Sequence, residues 1–339
     1  MMTTRVGLMG FGRIGRNVMR LLHNRADLDV VAISDIADPE ALTYLLKYDS
    51  IYGRFPAPVS YASGTLSYGD RNVAWLEARE PGEADWGELG VDVVLETTSR
   101  YRTKESLDQH LKAGAKKVIL TSSPEIPGEI PLLLRGINDD VLGPDVDQVA
   151  LGSNTSNAAA PILETLDKSV GIKRAYMTVV KAMSNAGRLA DVPTDSYRTS
   201  RAAGENIIPA ETNSAEIITQ ALPRLEGKLS VVALNVPVVD GSTVDMVLDV
   251  DRETSKEEVN SLVKTACETE YQGIIEYVAD PIVSSDVRSV AHSGVYDSLA
   301  TMVTGGTLVK TITWFNNGWG YSNRVVEVTS MVAAYLNGE

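Results

Sequence analysis

Short apolar runs alternate with helical periodicity through the first half of the chain, and several of the runs end on small polar residues. Residues 5–9, 28–33, 92–96 and 116–120 read as buried strands, with helices predicted over 16–24 and 104–114. That alternation predicts a doubly wound parallel sheet, an α/β fold. Past residue 150 the pattern changes. Longer and partly alternating runs at 173–183, 229–239, 243–250 and 307–314 predict a largely antiparallel sheet covered on one face, with helices at 214–222 and 255–270. The two halves meet at residues 148–161, where an apolar run, Val149 to Leu151, passes into a small polar loop and a helix expected to start near Ala158. A strand, tight loop and helix start in that order aim backbone N–H groups at whatever lies above them. Segment 184–203 carries no strong period and reads as a functional loop, and 45–55 has no assignable period. The predicted domains are 1–152 and 153–320, with a C-terminal helix over 321–337 returning to the first.

Composition narrows the class. A chain of 339 residues, 44% hydrophobic, can bury the cores of two domains. Its net charge of −14, with scattered basic residues, excludes a general nucleic-acid surface. The single cysteine, Cys267, excludes an intramolecular disulfide framework and fits a reducing, cytoplasmic setting. No apolar run approaches the roughly 20 residues of a membrane span, and the N-terminus lacks a signal-peptide core, so no membrane partner is expected. His23, His110 and His292 show no metal-ligand spacing, and His110 reads as an ordinary surface residue on a helix; no metal is expected.

The most specific motif is Gly10-Phe-Gly-Arg-Ile-Gly15, set directly between a predicted strand and a predicted helix. Gly10 permits the turn, Gly12 lets backbone approach a pyrophosphate, and Gly15 lets helix and strand pack closely; Phe11, Arg13 and Ile14 complete the loop. Asp35 closes the second strand about twenty residues on, where an acid binds adenosine ribose hydroxyls and repels a 2′-phosphate, favouring NAD over NADP. Thr97 and Thr121 end two further strands and either line the dinucleotide crevice or cap the next segment.

Together with these glycines, Leu46-Lys-Tyr-Asp-Ser50, Ala113-Gly-Ala-Lys-Lys-Val-Ile119, Glu205-Asn-Ile-Ile-Pro209, Gly227-Lys-Leu229, Val283-Ser-Ser-Asp286 and Gly320-Tyr-Ser-Asn-Arg-Val325 resemble the phosphorylating glyceraldehyde-3-phosphate dehydrogenase family along nearly the whole chain. The resemblance implies a Rossmann domain plus an α+β catalytic domain, bound NAD, and a homotetramer in which the 184–203 loop runs along the cofactor groove between subunits. It further implies that Asn317 holds the nicotinamide carboxamide and that Tyr321 lies beside the ring. The family's catalytic cysteine falls on Asn154 in a gapless register, or on Asn157 if three residues are deleted; the gapless register is preferred because a deletion would rotate the helix that follows. The family's histidine corresponds to Lys181, and arginine, glycine and arginine positions correspond to Thr199, Asn213 and Asn235.

A carboxamide does not form a thiohemiacetal. The replacements therefore predict an NAD-dependent oxidoreductase that is not a phosphorylating dehydrogenase and transfers hydride directly on a small molecule other than glyceraldehyde 3-phosphate. Two alternatives stand beside it: an enzyme of specialised metabolism that consumes the dinucleotide or a modified nicotinamide, and a non-catalytic cofactor-binding regulator. Lys181 is either a general acid or base with a desolvated ammonium or a salt-bridged structural lysine. Asn154 either orients the substrate or fills space. Ser153, Thr155, Thr212, Asn213, Asn235 and Arg201 are the candidate substrate contacts, with solvation the alternative for Arg201.

Overall fold

The computed structural model describes residues 3–184 and 187–338, so Asn185 and Ala186 of the predicted loop lie outside the described residues. The chain divides into two compact units: Met1–Leu133 with Asp139–Gly152 and Ser322–Glu339, and Leu134–Asn138 with Ser153–Tyr321. Residues 134–138 fall in the second unit because Gly136, at φ +83°, sits against Tyr271 and Ile274, where a Cβ would come within 2.7 Å of the Ile274 side chain.

In the first unit, β1 (Thr4–Met9), α1 (Arg13–Leu22), β2 (Leu28–Ser34) and α2 (Pro39–Lys47) are followed by a short hairpin of β3 (Tyr48–Asp49) and β4 (Gly53–Arg54). The hairpin accounts for the unassigned 45–55 stretch: Asp49 Oδ1 accepts from the backbone N–H groups of Ile51 and Tyr52 at 2.8 and 2.9 Å, a local turn that no periodicity announces. Then come β5 (Val59–Ala62), β6 (Thr65–Tyr68), β7 (Arg71–Leu76), β8 (Val93–Glu96), α3 (Lys104–Lys112), β9 (Lys117–Leu120) and β10 (Gln148–Ala150). They form one sheet in the order β10-β9-β8-β1-β2-β7-β6-β5, parallel from β10 to β7 and antiparallel beyond it. The strand order proceeds outward from β1 on both sides, through β2 on one and β8 on the other, so the carboxyl end of β1 is the switch point at which open α/β sheets bind ligands. Strands β8 and β9 are buried throughout, as their unbroken apolar runs require.

The second unit opens with α4 (Asn154–Val170) and β11 (Ile172–Lys181). Next are β12 (Ile208–Ala210), α5 (Ser214–Ala221), β13 (Leu229–Asn235), β14 (Ser242–Val250), α6 (Lys256–Glu268), β15 (Ile275–Val278), β16 (Gly294–Asp297), β17 (Met302–Thr304) and β18 (Leu308–Phe315). Its sheet runs β12-β13-β11-β14-β18-β16-β15, with β17 on β18; β11–β13 and β15–β16 are parallel and the other pairs antiparallel. Strand β14 alternates buried and half-buried positions without a break. Its inward residues Val244, Met246 and Leu248 pack in one core with Met177 and Val179 of β11 and Ala159, Ile162 and Leu163 of α4. The last helix, α7, spans Trp319–Leu336.

The fold is therefore a Rossmann-type sheet plus an α+β domain, as the pattern predicts. Helix α4 departs from it by starting four residues before Ala158. Ser153 is its N-cap, accepting from the Ser156 N–H at 3.1 Å, while the Ser156 hydroxyl accepts from the Ser153 N–H at 2.9 Å. The polar run 154–157 is thus the first helical turn, hidden from periodicity because apolar spacing begins only after it. No described helix is long and apolar enough to cross a membrane.

Candidate functional site

In the first unit the chain leaves β1 at Gly10 with φ +95°, and a Cβ there would stand 2.9 Å from Thr97 Oγ1. Gly12 is the extended N-cap of α1 and supplies no side-chain cap, which leaves the first-turn N–H groups of Arg13 and Ile14 open to a ligand. Gly15, one turn on, lies so close to Gly10 that a Cβ would meet its carbonyl oxygen at 2.5 Å. Replacing Gly15 with Ala should therefore push α1 away from β1, costing about 1–3 kcal/mol of stability and weakening NAD binding. An unchanged melting temperature with unchanged NAD affinity would remove that role.

Asp35 Oδ2 accepts from the Phe11 N–H at 2.7 Å and Oδ1 from the Ala37 N–H at 2.9 Å, so the carboxylate is fixed beside the glycine loop. Phe11 contributes only its backbone, since its ring is buried edge-on against Trp75. Gly10, Gly12, Asp35, Thr97 and Arg100 line a cavity of about 220 Å³. Backbone without Cβ atoms, open helix donors and a fixed acid fit a dinucleotide. Thr97 lines this cavity and also donates to the Gly10 carbonyl at 2.7 Å. Thr121 does not line it: the residue is buried and its hydroxyl donates to the Glu96 carbonyl at 3.0 Å, so it ties strands together. His110 is likewise no surface residue, being wholly buried between Trp86 and Glu96.

In the second unit a hydrogen-bonded chain links the predicted catalytic positions. Asn154, the first residue of α4, donates through Nδ2 to the Asn317 carbonyl at 2.5 Å. Asn317 Oδ1 accepts from the Ser242 hydroxyl at 2.5 Å, and Ser242 Oγ accepts from the Ala182 N–H at 3.0 Å. Ala182 follows Lys181, which pairs in register with Asn235 across β11 and β13. Strand alternation puts Lys181 on the face of β11 that carries Met177 and Val179, the face covered by α4. Lys181 is half-buried and makes no side-chain hydrogen bond or ion pair among the described residues, and burial holds its ammonium below the ordinary lysine range. The salt-bridged alternative finds no partner among the described residues. Asp240 and Ser242, missed by the motif reading, fix Asn317: buried Asp240 accepts from Asn316 Nδ2 at 2.6 Å and from the Asn317 N–H at 3.1 Å. Their only sequence signal is an acid and a hydroxyl flanking Gly241 at the mouth of an alternating strand.

The other candidates separate. Ser153 spends its hydroxyl on the α4 cap, and Thr155 is buried in the first turn, so neither stands free as a substrate contact. Thr212 bonds Ser214 through their hydroxyls at 2.8 Å, and Asn213 is the exposed N-cap of α5 with no side-chain cap bond. Thr199 and Asn235 line one small cavity with Ser184 and Gly187, whereas Arg201 is paired with Asp191 at 3.0 Å on an exposed loop. Tyr321 is fully buried, which raises its phenol well above the usual range. Cys267 lies buried in α6, its thiol pushed up to about 12 by desolvation.

The family's NAD binding domain matches residues 4–104, and its C-terminal domain matches residues 153–317. The chain belongs to the glyceraldehyde-3-phosphate dehydrogenase family. It is 42% identical over 337 residues to glyceraldehyde-3-phosphate dehydrogenase 2 of Streptomyces avermitilis, covering 99% of this chain and 100% of that one. Against the glyceraldehyde-3-phosphate dehydrogenase of Geobacillus stearothermophilus the identity is 40%, over 98% and 99% of the two chains. The enzyme of the same name from Mycobacterium avium is 41% identical, over 99% and 100%. The family's NAD binding domain makes NAD the cofactor of this oxidoreductase. These full-length relatives overturn the expectation of a changed reaction on another substrate, and with it the exclusion of a phosphorylating dehydrogenase. They equally overturn a dinucleotide-consuming enzyme and a non-catalytic regulator, and give no support to specialised metabolism. Replacements at a few pocket positions are local, while the agreement runs through both domains from end to end.

Proposed function

We propose that this chain is an NAD-dependent glyceraldehyde-3-phosphate dehydrogenase, the activity its relatives are named for, and a divergent one in which Asn154 and Lys181 occupy the positions resembling the family's cysteine and histidine. The observation that carries the proposal is the match of both family domains, with relatives near 40% identity over almost the whole chain. Oxidising an aldehyde to an acyl phosphate with NAD forms a bond from a phosphate oxygen to the carbonyl carbon, moves the aldehyde hydrogen to the nicotinamide as hydride and releases one proton. Lys181, without an ion-pair partner among the described residues and shifted toward its neutral form by burial, is the acceptor for that proton. Asn154 and Ser242 brace Asn317 from two sides, and the family resemblance makes Asn317 the residue that would hold the nicotinamide carboxamide. Gly10, Gly12, the first turn of α1 and Asp35 take the pyrophosphate and ribose.

Asn154 is the residue at which this activity is most directly at stake, because a carboxamide does not add to an aldehyde as a thiolate does. The deciding assay follows reduced nicotinamide with glyceraldehyde 3-phosphate and NAD, with and without inorganic phosphate. Phosphate-dependent formation is expected; NAD binding without any turnover of this aldehyde would overturn the proposal. The assembly expected with it is a homotetramer, which sedimentation velocity distinguishes from a monomer.

A further inference from the structure

Beneath the dinucleotide cavity lies a buried polar relay that the glycine motif does not include. Trp86 Nε1 donates to His110 Nδ1 at 3.0 Å, and His110 Nε2 lies 3.2 Å from Glu96 Oε2. An indole N–H can only donate, so His110 Nδ1 is the acceptor and carries no proton; Nε2 holds it and donates to the carboxylate. Glu96 Oε1 accepts from the Thr98 N–H at 2.7 Å and from the Thr98 hydroxyl. All of Trp86, Glu96 and His110 are fully buried. Polarity thus runs one way, from indole through imidazole to carboxylate, with the following turn donating back to the same carboxylate.

That turn borders the cofactor cavity. Thr97 and Thr98 both line it, and Ser99 is held at φ +59°. A Cβ on Gly10 would lie 3.0 Å from the Thr98 backbone nitrogen, so the turn and the glycine loop are in contact and a displacement of one is felt by the other. We propose that Glu96 and His110 are positioning residues for NAD: they fix the Thr97–Thr98 turn and so keep the cavity in its binding-competent shape. A protein whose competent arrangement is only partly populated binds with an affinity lowered by that fraction.

The test is the equilibrium dissociation constant for NAD itself, measured by calorimetry alongside the melting temperature. His110→Leu removes both imidazole bonds and leaves a buried carboxylate oxygen without its donor, so NAD affinity should fall roughly tenfold or more. His110→Gln is the rescue, since its carbonyl can accept from Trp86 while its amide donates to Glu96; affinity should return to within about threefold of the parent. Thr98→Val, on the cavity side of the relay, should weaken binding in the same direction even if His110→Leu does not fold. Parent-level NAD affinity in His110→Leu, or in Thr98→Val should the former fail to fold, would overturn the proposal, whatever happens to the melting temperature. Because the readout is cofactor binding, it is independent of whether glyceraldehyde 3-phosphate is turned over.

Discussion

Replacing Lys181 with Met is expected to lower turnover of glyceraldehyde 3-phosphate by roughly a hundredfold or more while leaving NAD affinity unchanged, because a positioned base contributes on that scale to the chemical step. The parent rate should rise with pH, since the unprotonated amine is the active form. It should level off below the ordinary lysine value of 10.5, because burial lowers the pKa. The same group links pH to stability. Between its lowered folded value and its ordinary unfolded value the unfolded state binds more protons, so stability rises with pH across that window and is lost as pH falls through the folded value. Lys181→Met should flatten both dependences. A variant with parental turnover and an unchanged pH profile would take the proton-accepting role from Lys181.

Asp240→Ala should give the largest loss of stability among the residues around Asn317. The carboxylate is buried and is the acceptor for Asn316 Nδ2 and the Asn317 N–H, so its removal takes an acceptor from two donors. Losing a buried acceptor costs on the order of 1–3 kcal/mol per donor, or roughly 2–4 kcal/mol for the pair after partial relaxation. That corresponds to about 5–15 °C in melting temperature for a domain of this size. NAD affinity should fall with it, because Asn317, to which the resemblance assigns the nicotinamide carboxamide, then loses one of its supports and keeps the bonds to Ser242 and Asn154. Calorimetric unfolding and NAD titration of the variant check both parts; parental values for the two would show that Asp240 does not hold Asn317.

Much of the fold was legible because its signals are local and periodic. The apolar runs of β1, β2, β8 and β9 are short, and those of β2, β8 and β9 are closed by small polar residues, which suits strands buried on both faces. What periodicity hid was structure made by side chains that cap or bridge: the first turn of α4, held by Ser153 and Ser156, and the hairpin turned by Asp49. His110 illustrates a different limit. Its burial depends on Trp86 and Glu96, distant in sequence, and nothing around position 110 announces them. At the candidate site, Gly10, Gly12, Gly15 and Asp35 could be read because backbone geometry dictates residue type there. Asp240 and Ser242 matter here through their bonds to Asn317, so their meaning emerges once three segments are folded together. The change of reaction expected from Asn154 and Lys181 gave too much weight to single positions and too little to agreement along the full chain.

The central claim is that this chain, with NAD bound at the glycine loop, oxidises glyceraldehyde 3-phosphate. Its most direct measurement is the rate at which reduced nicotinamide appears when NAD-loaded protein is mixed with glyceraldehyde 3-phosphate over a range of phosphate concentrations. The account predicts formation that depends on both aldehyde and phosphate and is strongly reduced in Lys181→Met. No reduced nicotinamide at any phosphate concentration, from protein that binds NAD, would contradict it.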